Sequence, residues 1–257
     1  MSGTVATTGI DSPEFVRTKR RNQYFLIMAV VCCVLLVTGF SQSFFLKTFS
    51  DWPPLPLYVH VHGWIWTAWF GLFLAQTSLI DAGNVHLHRR VGIGGAALAI
   101  LMVLYGLFIL YVRIMEYHDP ARDLDLGFTT ALVWANLNLL TAFAVFASLG
   151  FYFRRRAETH KRLMLLATFS MMGQPLGRLA RFEALQFSSS QFWNELVYGL
   201  GGLLFLFLTL IAYDLVKRGR PHPASILGPP LTIVATFISA TLIPSTRVGQ
   251  GLVLMFG

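Results

Sequence analysis

The feature that most constrains this chain is a succession of apolar runs, each about twenty residues long, separated by short polar breaks. A helix of that length matches the roughly 30 Å hydrocarbon layer of a bilayer. Seven such runs stand at roughly 24–46, 57–80, 91–113, 128–153, 162–182, 194–216 and 226–245. The expectation is an all-α, polytopic transmembrane helix bundle of about seven spans. Only 12% of the residues are charged, against about 25% in an ordinary soluble domain. One membrane domain over residues 23–257 therefore accounts for the chain, preceded by a polar and basic tail over 1–22. The first run is too long for a cleaved signal peptide and has no small-residue cleavage site, so it reads as a retained span. Pro229, Pro230 and Pro244 crowd the ends of the seventh run. Six spans with a re-entrant or interfacial segment is the alternative there.

The basic residues give an orientation. Arg17, Lys19, Arg20 and Arg21 precede the first run, and His86, His88, Arg89 and Arg90 separate the second from the third. Arg154, Arg155, Arg156, Lys161 and Arg162 separate the fourth from the fifth, and Lys217, Arg218 and Arg220 follow the sixth. In a seven-span topology all four clusters share one side, whereas Asp51, Glu116, Asp119, Asp123, Asp125, Glu183 and Glu195 fall on the other. Loops that stay in the cytoplasm keep the excess of Lys and Arg. The expected location is the inner (plasma) membrane, with a cytoplasmic N-terminus and an external C-terminus. Trp52, Tyr58, Trp64 and Trp66, with Trp193 and Tyr198, mark the opposite interface. The net charge of +8 follows from these loops, and nucleic acid is not an expected partner. The lipid bilayer is, and so are other membrane subunits if the chain serves as an accessory.

Two stripes carry the polar residues. On the second run His62, Trp66, Trp69, Phe73 and Gln76 share a helical face. On the fifth run His160, Met164, Ala167, Met171, Gln174, Arg178 and Arg181 do the same. Polar groups inside a bilayer need partners or a cavity, because lipid supplies none. Gln76, Asn138 on the fourth run, Gln174 and Arg178 are the candidate substrate path. For Arg178, behind Pro175, the readings are an inward-facing cation for an anionic group, an ion pair with Glu183 or Glu195, or a snorkelling side chain. For the glutamine and asparagines the alternative is an interhelical hydrogen bond.

Histidine supplies the candidate cofactor ligands. His88 and His160 open the third and fifth runs at one depth, where two imidazoles on neighbouring helices can ligate haem iron or share a metal. Glu158 and Asp81 are the acceptors expected to orient them. His62 opens the second run at the opposite interface, on the order of 30 Å away by helical rise, so one haem cannot use it together with the other two. The plain alternative for His88 and His160 is a basic interfacial loop. Cys32 and Cys33 read as two buried small residues, because vicinal positions on a helix point about 100° apart. No catalytic residue emerges: HExxH, GxSxG and Walker sequences are all missing, and the seventh run has no lysine to hold retinal.

The sequences His60-Val61-His62-Gly63, His88-Arg89-Arg90-Val91-Gly92 and His160-Lys161-Arg162-Leu163-Met164 resemble a pattern in bacterial polytopic membrane proteins of unknown function. The resemblance covers roughly residues 60–180. A weaker likeness is to membrane proteins of haem and cytochrome oxidase biogenesis, in which His-Lys/Arg-x-x-Met also opens a span. That likeness implies haem b or a metal held by His88 and His160 in redox or respiratory support. Small-molecule or ion permeation and a non-catalytic accessory role remain the other two readings.

Overall fold

Four helix starts among the described residues carry a side-chain cap. Asn84 accepts the amide of Leu87 at 3.1 Å and Asp125 that of Phe128 at 2.6 Å. The His222 ring accepts that of Ala224 at 3.1 Å and Thr246 that of Gly249 at 3.0 Å. Each satisfies one of the donors that a helix leaves unpaired at its N-terminus. The computed structural model describes residues 23–49, 53–120, 122 and 124–255. Among them it contains α1 (Tyr24–Gly39), α2 (Leu57–Asp81), α3 (Val85–Tyr117), α4 (Leu126–Tyr152) and α5 (Ala157–Ser170). These are followed by α6 (Gly173–Arg178), α7 (Gln191–Arg218), α8 (Pro223–Thr241) and α9 (Arg247–Leu254). No strand occurs among the described residues. The basic tail with Arg17, Lys19, Arg20 and Arg21, and also Asp51, Trp52 and Asp123, lie outside them.

Four stretches are long and apolar enough to cross a membrane: Val85–Tyr117, Leu126–Tyr152, Gln191–Arg218 and Pro223–Ser245. Their outward surfaces keep Ile93, Ile100, Leu104, Phe205, Val216 and Leu231 exposed. An apolar exterior of that extent is stable against lipid and not against water. The helix at the seventh run passes through Pro229 and Pro230 without a break.

The fifth apolar run is not one helix. It breaks at Met171 and Met172 into α5 and the short α6. Pro175 has no N–H to bond the Met171 carbonyl, and its ring collides with that carbonyl in a straight helix. The seam predicted from His160 to Arg181 is therefore continuous only as far as the break. Beyond it, α6 leans against α1 and α7. Glycines permit the approach: a Cβ on Gly39 would run into the Pro175 carbonyl, and one on Gly199 would sit 3.1 Å from the Gly173 oxygen. Small residues at helix crossings have this role in bundles generally.

α4 occupies the centre and packs on α3, α5, α8 and α9. The core around it includes Phe70, Met102, Phe143, Phe169, Met172 and Phe207, each almost fully buried. Trp69 stands edge-on to Phe143, with 4.9 Å between centroids, and donates to Thr168 Oγ1 at 3.3 Å. The histidines singled out in the sequence fall at two ends of the bundle. One carries the starts of α2, α4 and α7 with α6; the other carries the α2–α3 turn and the start of α5.

Candidate functional site

At the first end, α1, α2, α3, α4 and α6 diverge around a cavity of about 500 Å³. The break at Met171 and Met172 opens one wall, since Ser170, Met171, Gln174, Pro175 and Arg178 all line it. Phe40, Val59, Trp66, Leu110, Val133 and Leu140 supply apolar surface, and Asn136 turns its amide to its own helix at Leu132. Three arginines, Arg113, Arg178 and Arg181, face a single acid of the lining, Glu195.

The cations differ in what they touch. Arg181 Nε donates to Glu195 Oε1 at 3.1 Å, and Arg113 stands 3.5 Å from Glu116. The Arg178 guanidinium lies over the Phe40 ring, 4.8 Å from its centroid, with no carboxylate at ion-pair distance among the described residues. The His62 ring lies tilted by 31° against Trp66, with 4.0 Å between centroids. Among the described residues, five buried side-chain atoms lack a hydrogen-bond partner, and the nitrogens in that set are His62 Nδ1, Arg113 Nε and Arg178 Nε. All three residues line this cavity. Buried polar nitrogens are nearly always satisfied in folded proteins, so three unpaired ones on residues that line one cavity distinguish this site.

At the other end the predicted histidine pair does meet. The His88 and His160 rings are 6.2 Å apart and nearly perpendicular. Their orienting partners are neither Glu158 nor Asp81. His160 Nδ1 pairs with the Gly150 carbonyl at 2.8 Å. Gln76, its amide oriented by the surrounding hydrogen bonds, donates to His88 Nδ1 and accepts from the Gly92 amide at 3.0 Å. An accepting Nδ1 leaves the proton of a neutral His88 on Nε2. His160, donating from Nδ1, is left with a free Nε2 lone pair. As they stand, the pair therefore offers one available lone pair, and ligation by both rings requires the Gln76 amide to turn over. No group of three or more His, Cys, Asp or Glu side chains gathers as for a metal ion among the described residues.

Beside this pair lies a cluster that the sequence reading missed. Arg162 is fully buried and forks onto Asp214, which is also fully buried, with Nε at 2.9 Å from Oδ1 and Nη2 closer still. Arg162 Nη1 donates to the carbonyl and carboxylate of Glu158, each at 2.7 Å. Asp214 Oδ2 accepts from the His222 amide at 2.9 Å and from Ser225 Oγ at 2.7 Å. One carboxylate thus joins α5, α7 and α8. Burial alone would raise the Glu158 pKa, but hydrogen bonds from Lys161 and Arg162 hold it below the usual carboxylate range. Burial and the nearby Arg162 and Arg218 hold the His222 ring below the usual histidine range. The signal in the sequence was Asp214 itself, the one acid after Glu195 in the sixth apolar run. An ionisable residue in such a run calls for a named partner.

The four residues of the predicted substrate path separate. Gln174 and Arg178 line the cavity, Gln76 sits with His88, and Asn138 donates to Thr236 Oγ1 at 2.6 Å, joining α4 to α8. His62, the third predicted ligand, belongs to the cavity. It stands 14 residues before Gln76 on α2, which is about 21 Å of helical rise. Cys32 and Cys33 are free thiols. Comparison with family models, with curated proteins and with solved structures finds no match for this chain.

Proposed function

We propose that this chain is a multi-pass protein of the inner membrane, with about seven spans, whose outward-facing cavity holds a small molecule as the binding step of permeation. The observation that carries this reading is the cavity of about 500 Å³, within the roughly 300–1,000 Å³ typical of small-molecule sites. Two further features support it. The wall is formed by a helix interrupted inside an apolar run, as in transport proteins that bind cargo at broken helices. The lining is apolar with a few converging polar groups. Photolabelling in lipid nanodiscs with a neutral hydrocarbon diazirine tests the reading. Label enters lining residues on α2, α3 and α4, and filling the space with Leu110→Trp removes it.

The orientation rests on the basic loops. The N-terminus lies in the cytoplasm, the C-terminus outside, and the cavity at the outer face. Reporter fusions after Arg90, Arg156 and Arg220 should all give a cytoplasmic signal; an external signal at Arg90 or Arg156 reverses the assignment.

A second reading is favoured by the approach of His88 to His160. It holds that the pair ligates haem b or a metal in redox or respiratory support, as the weaker resemblance implies. Purified protein would then show a Soret band, or bound metal, that His88→Ala and His160→Ala each abolish. A colourless, metal-free preparation ends it. The proton on His88 Nε2 places this reading second.

A further inference from the structure

The geometry points to a ligand of one chemical class for this cavity: an elongated apolar molecule ending in an oxyanion, its anionic group held by Arg178 with His62 and Arg113 around it. This rests on the cavity being a binding site and adds what binds there. The argument begins from what each nitrogen lacks. Among the described residues Arg178 Nε is buried without an acceptor, and its guanidinium lies on the Phe40 face with no carboxylate at ion-pair distance. A buried cation left unpaired is costly, and a carboxylate or phosphate oxygen removes the cost through charge-assisted, bidentate hydrogen bonds. Arg is the side chain best shaped for this. Arg113 Nε, and His62 Nδ1 in the tautomer that carries its proton there, also lack partners among the described residues on this lining, so an oxyanion with several acceptor oxygens can serve more than one donor at once.

The rest of the lining defines the remainder of the ligand. Beyond the cations, and beside polar side chains such as Gln174 and Asn136, most of the wall is apolar, with Leu36, Phe40, Val59 and Leu132 among its residues, and these can offer an apolar body dispersion and burial but no hydrogen bonds. A compact hydrophilic anion would leave that surface unused, and a neutral hydrocarbon would leave the three nitrogens unpaired. Arg181 is paired with Glu195 and Arg113 stands 3.5 Å from Glu116, so among the described residues Arg178 is the lining cation whose charge favours a net negative head. Carboxylate and phosphate heads share this chemistry, and both occur on apolar chains.

The test is competition against cavity photolabelling of the full chain in nanodiscs. Competitors are hexadecanoic acid, hexadecyl phosphate and neutral methyl hexadecanoate. The two anions should suppress labelling of the lining, the ester should need about tenfold more, and the tighter anion identifies the head. Arg178→Met should erase the difference between acid and ester, and Arg178→Lys, which keeps the charge, should restore part of it. Core positions such as Phe143 and Leu165, buried in the folded protein, would show misfolding of a variant as new labelling, independently of the competition. Equal competition by acid and ester, no competition by either anion, or an Arg178→Met protein that still prefers the acid overturns the oxyanion assignment. If the neutral probe labels the lining in those cases, the cavity remains a binding site. If it never labels the lining, the underlying reading fails as well.

Discussion

Asp214→Leu is expected to cost the bundle about 3–5 kcal/mol, the usual penalty for stranding one partner of a buried ion pair. Arg162, fully buried, would keep Glu158 as its one acid among the described residues, and the Glu158 side chain is itself 59% exposed. The His222 amide and Ser225 hydroxyl would lose their acceptor as well. Arg162→Met should cost a similar amount, because it leaves the carboxylate stranded instead. The two losses should not add. With both replaced there is no unpaired charge to bury, and apolar pairs of similar volume often equal a buried ion pair. The double variant should therefore recover more than half of either single loss. Unfolding midpoints in mixed micelles measure this. Single losses below about 1 kcal/mol, or losses that sum, would show that the pair is not a coupled buried unit.

Helix positions were legible because bilayer length and hydrocarbon solubility act on every residue of a span. Each of the seven apolar runs contains helix, and the helices extend into the charged breaks, so that His88, Arg89, Lys161 and Lys217 are themselves helical. What escaped was interruption within a run. Pro175 was visible in the sequence, but hydropathy responds to transfer free energy and not to a missing N–H, so α5 and α6 read as one segment. The reverse held at Pro229 and Pro230, where the same residue type lies inside a continuous helix. A proline tells where a hydrogen bond is lost; neighbouring helices decide whether the axis breaks.

The site was legible by residue and not by grouping. His88 and His160 do approach one another, since both lie near the starts of helices two apart in the chain, and alternate helices of an up-down bundle start at the same end. Their partners, the Gly150 carbonyl and Gln76, depend on rotation about the helix axis, which spacing leaves open. The same freedom placed Asn138 against Thr236 and not in the cavity. Arg162 was read as a loop base because it follows Lys161, yet its side chain turns inward to Asp214. Two charges 52 residues apart leave no periodic trace in the sequence.

The cavity is the centre of the functional account, and mapping where a neutral diazirine probe attaches tests it most directly. Lipid-facing side chains such as Ile100, Leu104 and Phe205 will take label from any probe dissolved in the bilayer. The informative positions are Trp66, Leu110, Leu132 and Leu140, which line the cavity and are not exposed. The account predicts saturable labelling at these four positions, lost when Leu110→Trp occupies the space while labelling of the exterior is unchanged. Label confined to the exterior in the wild-type protein, or interior label that survives Leu110→Trp, would contradict it.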